Sequence, residues 1–329
     1  RDLSKMTGFS PATISNALNH KKGVNRETAE EIFRVARETG YLSANAVTKI
    51  RLVIFKKNGQ ILEETPFFQQ MIEGIEEECH RLGYEMVISH VDQRNPNYQK
   101  QVRDLLEEQG VGIILLGTEM MDGDLSLYRN ASCPVLLLDH WTELMDFNSV
   151  LINNADAARA ITEHLLDNGH REVGYLRGNY RIKAFRSRFI GFQTALKKYK
   201  VPYKEEYTVT VGTYMSTACQ DMLEYLKKKP KLPTAFFADN DIIALGAMKA
   251  LQEMGYRIPE DVSIVGFDDL TFSEISSPPL TTLRVEKREM GKMAVRRLVE
   301  LIDGIGTSTV TKIQVCPKII YRNTVKNIK

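Results

Sequence analysis

A chain of 329 residues is too long for a single hydrophobic core and long enough for two or three domains. Its 43% hydrophobic and 26% charged residues are those of a globular protein, and no apolar run approaches the ~20 residues that a membrane-spanning helix needs. A net charge of +2 excludes a chain that is basic throughout, yet residues 1–51 hold nine basic side chains against five acidic ones, so a small basic head precedes a slightly acidic body, as expected of a protein that meets DNA through its head.

In chain order, Asp2 to Thr7 reads as a short helix with Leu3 and Met6 on one face. Gly8 supplies the positive φ of a tight turn, Ser10 can cap the next helix, and Pro11 suits its first position. Ile14, Ala17 and Leu18 then form a buried stripe, while Thr13, Ser15, Asn16 and Asn19 form a small polar face without an acid. That is the pattern of a helix-turn-helix whose second helix lies among phosphates and base edges; a plain helical hairpin is the alternative. A third helix starts at Asn25-Arg26-Glu27-Thr28, carries Ile32, Val35 and Ala36 on its apolar side, and ends at Gly40-Tyr41. Residues 1–42 are thus expected to form the all-α head, and residues 43–50 a linker of weak helical character. The chain starts almost at a helix without an initiator methionine, so a few preceding residues are expected.

From Arg51 short apolar strands alternate with helices. Strands are expected at Leu52–Phe55, Met86–Ser89, Gly112–Leu116 and Val135–Leu138, with helices at Phe67–Leu82 and Tyr98–Glu108. The pattern restarts after Asn153-Asn154, with strands at Val173–Leu176, Tyr207–Val211, Ala235–Phe237 and Val262–Val265. Helices Ala155–Asn168, Phe185–Lys198, Ser216–Lys228 and Asp241–Met254 fall between them, and a helix Glu289–Ile302 and a strand Thr311–Val315 come late. Uniformly apolar strands between helices mean doubly wound parallel sheets. The expected body is a two-lobed α/β domain. Its N-terminal lobe takes residues 51–152 and 285–316, its C-terminal lobe 153–284 and 317–329. Two such lobes place a ligand cleft at the carboxyl ends of the strands.

Cys79, Cys133, Cys219 and Cys316 are far apart in sequence, with no metal-ligand spacing. Reduced thiols, a cytoplasmic location and no metal or other cofactor are the expectation. No export signal, phosphate-binding loop, nucleophile elbow, HExxH or dinucleotide glycine fingerprint is found, so an enzyme is not expected.

The ordered motifs resemble the lactose-repressor (LacI/GalR) family of bacterial regulators. Ser10-Pro11-Ala12-Thr13-Ile14-Ser15 is similar to its recognition helix, and Gly40-Tyr41 with Asn45-Ala46 to its junction. Thr65-Pro66-Phe67-Phe68, His164-Leu165 with Gly169-His170-Arg171, and Arg188-Phe189-Ile190-Gly191-Phe192 follow at the family's spacing. So do Asp239-Asn240-Asp241, Val265-Gly266-Phe267-Asp268-Asp269 and Ser277-Pro278-Pro279-Leu280-Thr281-Thr282. Two departures stand out. Asn16 replaces the family's usual Arg, which shifts the expected base preference from guanine towards adenine. The linker is short and places no Leu cleanly at the position where the family wedges the minor groove.

The resemblance implies a periplasmic-binding-protein-like body and a homodimeric repressor of a sugar-utilisation operon, binding double-stranded operator DNA and controlled by a sugar or sugar phosphate between the lobes. Lys5, Ser10, Thr13, Ser15, Asn16 and Asn19 are the expected DNA-binding residues, with Lys21 and Lys22 adding either phosphate attraction or a solvated loop. Arg188, Asn240 and Asp268 are the expected polar effector contacts, although Asn240 could merely cap a helix. Phe67, Phe68, Trp141 and Tyr214 would give an apolar floor, and Asp139 a further carboxylate. The basic stretch 178–184 leaves room for a phosphorylated or acidic effector. Two alternatives stay open: a global catabolite-type regulator docking a phosphoprotein near Arg284, and a transport-type sugar-binding protein.

Overall fold

The computed structural model describes residues 2–18, 24–39, 41, 47–63, 66–304 and 309–329. Asn19, Lys21, Lys22, Gly40, Thr65 and most of the expected linker, including Asn45-Ala46, lie outside the described residues. The chain divides into two compact units. Unit 1 is Arg1–Asn58, Phe68–Leu151 and Lys287–Ile313; unit 2 is Gly59–Phe67, Ile152–Glu286 and Gln314–Lys329. Among the described residues no helix is long and apolar enough to cross a membrane.

Unit 1 begins with three helices, α1 (Asp2–Thr7), α2 (Pro11–Leu18) and α3 (Arg26–Glu38). Gly8 makes the α1–α2 turn at φ +74°, a conformation that a Cβ disfavours. Leu3, Ile14, Ala17, Ile32, Val35 and Ala36 close a small core of their own. Ser10 caps α2 through its Oγ, which accepts from Thr13 N at 3.1 Å.

The rest of unit 1 is built on β1 (Lys49–Lys56), β2 (Glu85–Asp92), β3 (Val111–Leu116), β4 (Val135–Leu138) and β5 (Asn148–Ile152). All five run parallel, and the strand Lys312–Val315 forms the edge beyond β5. The expected linker over 43–50 therefore gives its last two residues to β1. Lys49 and Ile50 pair with Glu85 and Met86 on one side and with Val111 and Gly112 on the other, and Ile50 is fully buried. β2 departs from the uniformly apolar pattern because it is the opposite edge: only Val91 is buried, and exposed Glu85 and His90 blunt the open ladder.

Helix α4 (Phe67–Arg81) follows β1, and α5 (Tyr98–Glu107) covers the β2–β3 connection. The late helix Lys287–Ile302 crosses α4 backbone to backbone. A Cβ on Gly74 would stand 2.0 Å from the Arg288 carbonyl oxygen, and one on Gly291 2.2 Å from that of Met71.

Unit 2 holds a parallel sheet of β6 (Val173–Gly178), β7 (Thr208–Val211), β8 (Ala235–Ala238) and β9 (Ser263–Val265), in the order β7-β6-β8-β9. Helices α6 (Asn154–Asp167), α7 (Lys183–Lys198), α8 (Met215–Lys227) and α9 (Asp241–Glu253) alternate with these strands. Close crossings recur: a Cβ on Gly191 of α7 would meet Ala155 O at 2.1 Å, and one on Gly246 of α9 would meet Met215 O at 2.7 Å. A small antiparallel pair, Thr282–Arg284 with Lys318–Ile320, completes the unit. Farther along the tail, His170 holds Lys326: its buried ring lies 3.1 Å from Lys326 O at Nε2 and 2.8 Å from Thr234 Oγ1 at Nδ1. The four cysteines are free thiols, and burial pushes the Cys79 thiol up to about 12.

Two predictions follow from this packing. Gly74→Ala forces the crossing helices apart and should lower unfolding stability by at least about 1–3 kcal/mol. Gly123→Ala, at a position with nothing within 4 Å and no positive φ, is the control and should stay within ~0.5 kcal/mol. Equal denaturation midpoints for the two variants would refute the crossing. Second, burial holds the His170 imidazole below its ordinary range, so on acidification the unfolded chain takes up the proton first. Stability should fall as pH drops through ~6.5 and on towards the folded-state value, and this loss should shrink in His170→Gln. His164, pushed down by burial in the same way, keeps the remainder. An unaltered pH profile of the melting temperature would contradict this.

Candidate functional site

Parallel strands bring their carboxyl ends to one edge of a sheet, and in unit 2 that edge gathers buried charge. Arg188, on α7, is 4% exposed. Its Nε donates to Asn154 Oδ1 at 2.8 Å, Nη1 to the Asp239 carbonyl at 2.6 Å, and Nη2 to Asp268 Oδ1 at 3.3 Å. The guanidinium carbon stands 3.6 Å from the centroid of the Phe267 ring, the contact expected of a cation on an aromatic face. A lysine could not reproduce this fork of three bonds over a ring.

Asp268 follows β9 with φ +119°, outside the regions that a side chain with a Cβ favours. Its amide N–H is fixed by the Leu283 carbonyl at 2.9 Å. Such strain is of order 1–3 kcal/mol and is usually retained where it aims a functional group. Asn240 takes the capping role: its Oδ1 accepts from Ile243 N at 3.0 Å at the head of α9.

The residue before it was not singled out from the sequence. Asp239 is fully buried; its carboxylate accepts from Tyr175 Oη at 2.5 Å, from Gly178 N at 2.8 Å and from Arg181. Burial pushes its pKa up, against these three partners, which favour the ionised form. The available signal was an acid placed directly after the apolar strand Ala235–Ala238. Asp241 is also fully buried, but it ties its own loops together, accepting from Leu270 N, Ser273 Oγ and Thr282 Oγ1.

The other expected residues are placed as follows. Tyr214 precedes α8, half-buried, its carbonyl accepting from Ala218 N at 2.8 Å. Phe67, of unit 2, and Phe68, of unit 1, are both buried. In unit 1, Asp139 follows β4 at φ +55° and accepts from Thr118 Oγ1 at 2.6 Å. Trp141 is 41% exposed, with Lys312 Nζ 5.6 Å from its ring centroid. Arg284 is bound to Asp269 at 2.6 Å. On the head, Ser15 and Lys5 are exposed and Asn16 half-exposed, while the Ser10 and Thr13 hydroxyls lie 2.8 Å apart.

Arg188→Met would leave three buried acceptors without their donor. Unfolding stability should fall by about 3–5 kcal/mol, read from urea denaturation, and Arg188→Met with Asp268→Asn should recover part of it. A loss under ~1 kcal/mol would contradict the network as described.

Residues 162–325 match the periplasmic binding protein-like domain family. The chain is 30% identical over 332 residues to the HTH-type transcriptional repressor PurR of Mannheimia succiniciproducens, covering 100% of this chain and 98% of that protein. It is 29% identical over 333 residues to the PurR repressor of Haemophilus influenzae (strain PittEE), with the same coverage. Among solved structures, the transcriptional regulator CelR–cellobiose complex is similar at a TM-score of 0.75 and 26% identity, covering 98% of each chain. The lac repressor dimer bound to operator and the anti-inducer ONPF is similar at 0.72 and 25%, covering 99% of this chain and 98% of that one. A helix-turn-helix head, two α/β units and end-to-end likeness to these repressors lead to one conclusion: the chain belongs to the LacI/GalR family of transcriptional regulators.

Proposed function

We propose that this chain is a homodimeric repressor of a sugar-utilisation operon, and that a small sugar-like effector bound against the Arg188–Asp268 wall of unit 2 sets its operator affinity. The observation that carries the effector reading is the buried Arg188 fork, held on an aromatic face beside a strained carboxylate. Fixed donors and acceptors of this kind orient a polar ligand; they recognise it rather than supply a nucleophile. Asn240 contributes through the position of its cap, and Tyr214 and Phe67 are the aromatic candidates of the same unit. Asp139, Trp141 and Phe68 are the candidates of unit 1. The CelR structure holds cellobiose, which supports a sugar-like ligand. Arg284, on which docking of a phosphoprotein would turn, is already committed to Asp269, so that reading gains no support.

For the DNA, Ser15 and Asn16 on the outer face of α2 read the major groove, with Asn16 on base edges. Lys5, Ser10, Thr13 and Asn19 contact phosphates and fix register. The lac repressor is a dimer on its operator, and one small head alone binds weakly, which supports two heads on a pseudo-palindrome here. Effector and operator are then coupled by the difference in effector affinity between the two operator-binding states.

Binding-site selection with the full chain should return a two-fold related sequence, and Asn16→Arg should change the preferred base at one symmetric position of each half-site. An unchanged preference would remove Asn16 from base reading, and failure to select any duplex would overturn the proposed function.

A further inference from the structure

Two arginines, not one, flank the wall. Arg181 lies in the loop between β6 and α7, and its guanidinium carbon stands 5.5 Å from the centroid of the Phe185 ring; that of Arg188 stands 5.6 Å from the same ring. Asp239 joins them, with its carbonyl on Arg188 and its carboxylate on Arg181. One carboxylate oxygen accepts from both the Gly178 N–H and the Arg181 guanidinium while the other faces the Tyr175 hydroxyl, and the adjacent cation favours the ionised form. Its charge is therefore set against that of Arg181, whose side chain is 22% exposed while Asp239 is fully buried. Arg188 is matched by Asp268 in the same manner. Each cation that the wall offers arrives with its own anion.

We propose that Asp239 is the charge-selecting residue of the effector site. By pairing with Arg181 it cancels the cation at the rim of the Arg188 wall, so that the site takes an uncharged polyhydroxylated ligand and discriminates against phosphorylated or carboxylated ones. The pinned guanidinium still donates hydrogen bonds to ligand oxygens, but an anion gains little from a cation already neutralised in a poorly solvated place. Between the two effector classes left open by the basic stretch 178–184, the neutral one is selected. This inference rests on the Arg188–Asp268 wall being the effector site.

The test uses the full chain and inorganic phosphate as the anionic probe. Asp239→Asn is nearly isosteric: its amide oxygen can accept from Gly178 N and its amide N–H can donate to the Tyr175 hydroxyl, but it leaves the Arg181 charge unmatched. By titration calorimetry, Asp239→Asn should bind phosphate at least tenfold more tightly than the unaltered chain, and Arg181→Met with Asp239→Asn should lose the gain. A gain under threefold, or one that survives loss of Arg181, overturns the proposal. If Asp239→Asn does not fold, the unaltered chain decides, by thermal shift with ribose against ribose 5-phosphate and glucose against glucose 6-phosphate. A phosphorylated sugar that raises the melting temperature more than its parent overturns the proposal; the reverse order supports it. A phosphate gain without any effect on operator binding would fault the effector reading instead. No gain, in a chain whose operator affinity still responds to a neutral sugar, would fault the charge selection alone.

Discussion

The buried guanidinium of Arg188 is the interaction on which the rest of unit 2 turns. It lies 4% exposed at the carboxyl ends of the strands, and an unpaired charge there would cost several kcal/mol. The fold meets that demand with Asn154 from the start of α6, the Asp239 carbonyl after β8 and the Asp268 carboxylate after β9. One side chain on α7 thus ties together three separate segments. The positive φ of Asp268 is part of the same arrangement, since it carries the carboxylate that faces the guanidinium. Bonds that hold the unit together and bonds that would hold a ligand are the same kind of bond at the same place.

Precise placement of these groups needs rigid elements beneath them. The glycine crossings supply that rigidity. Gly191 lies three residues beyond Arg188 on α7 and brings that helix against the Ala155 carbonyl of α6, next to Asn154. The Arg-x-x-Gly spacing therefore has a mechanical content: the arginine makes the fork, and the glycine lets the helix approach its partner's backbone. Gly246 does the same for α9, which carries Asn240 at its head.

Much of this was legible in the sequence. Strand and helix periodicity located most of the α/β elements to within a few residues, because buried parallel strands are continuously apolar and their helices are amphipathic. Three short strands escaped: β5 opens on the polar Asn148-Ser149, and Thr282–Arg284 and Lys318–Ile320 are three residues each. β2 was found at Met86–Ser89 but runs from Glu85 to Asp92, its ends obscured because this half-polar strand borders solvent. At the site, Arg188 and Asp268 could be named from motif and strand-end position, but the pairing between them could not. Asp239 was read only as part of a motif. What distinguishes it is burial and three donors converging from β6 and the loop after it, and neither is visible along a one-dimensional chain. For the head, the Gly8 turn, Ser10 cap and Ile14–Ala17 stripe were readable because each is a local requirement of a helix pair.

On the proposed function, a small ligand on the Arg188 wall alters what the head does to DNA. The most direct measurement is operator affinity, by fluorescence anisotropy, of the full chain and of Arg188→Met, each titrated with the sugar that most raises the melting temperature of the unaltered chain. A change of at least about fivefold is expected in the unaltered chain and none in the variant. An equal change in both, or none in either, would contradict it.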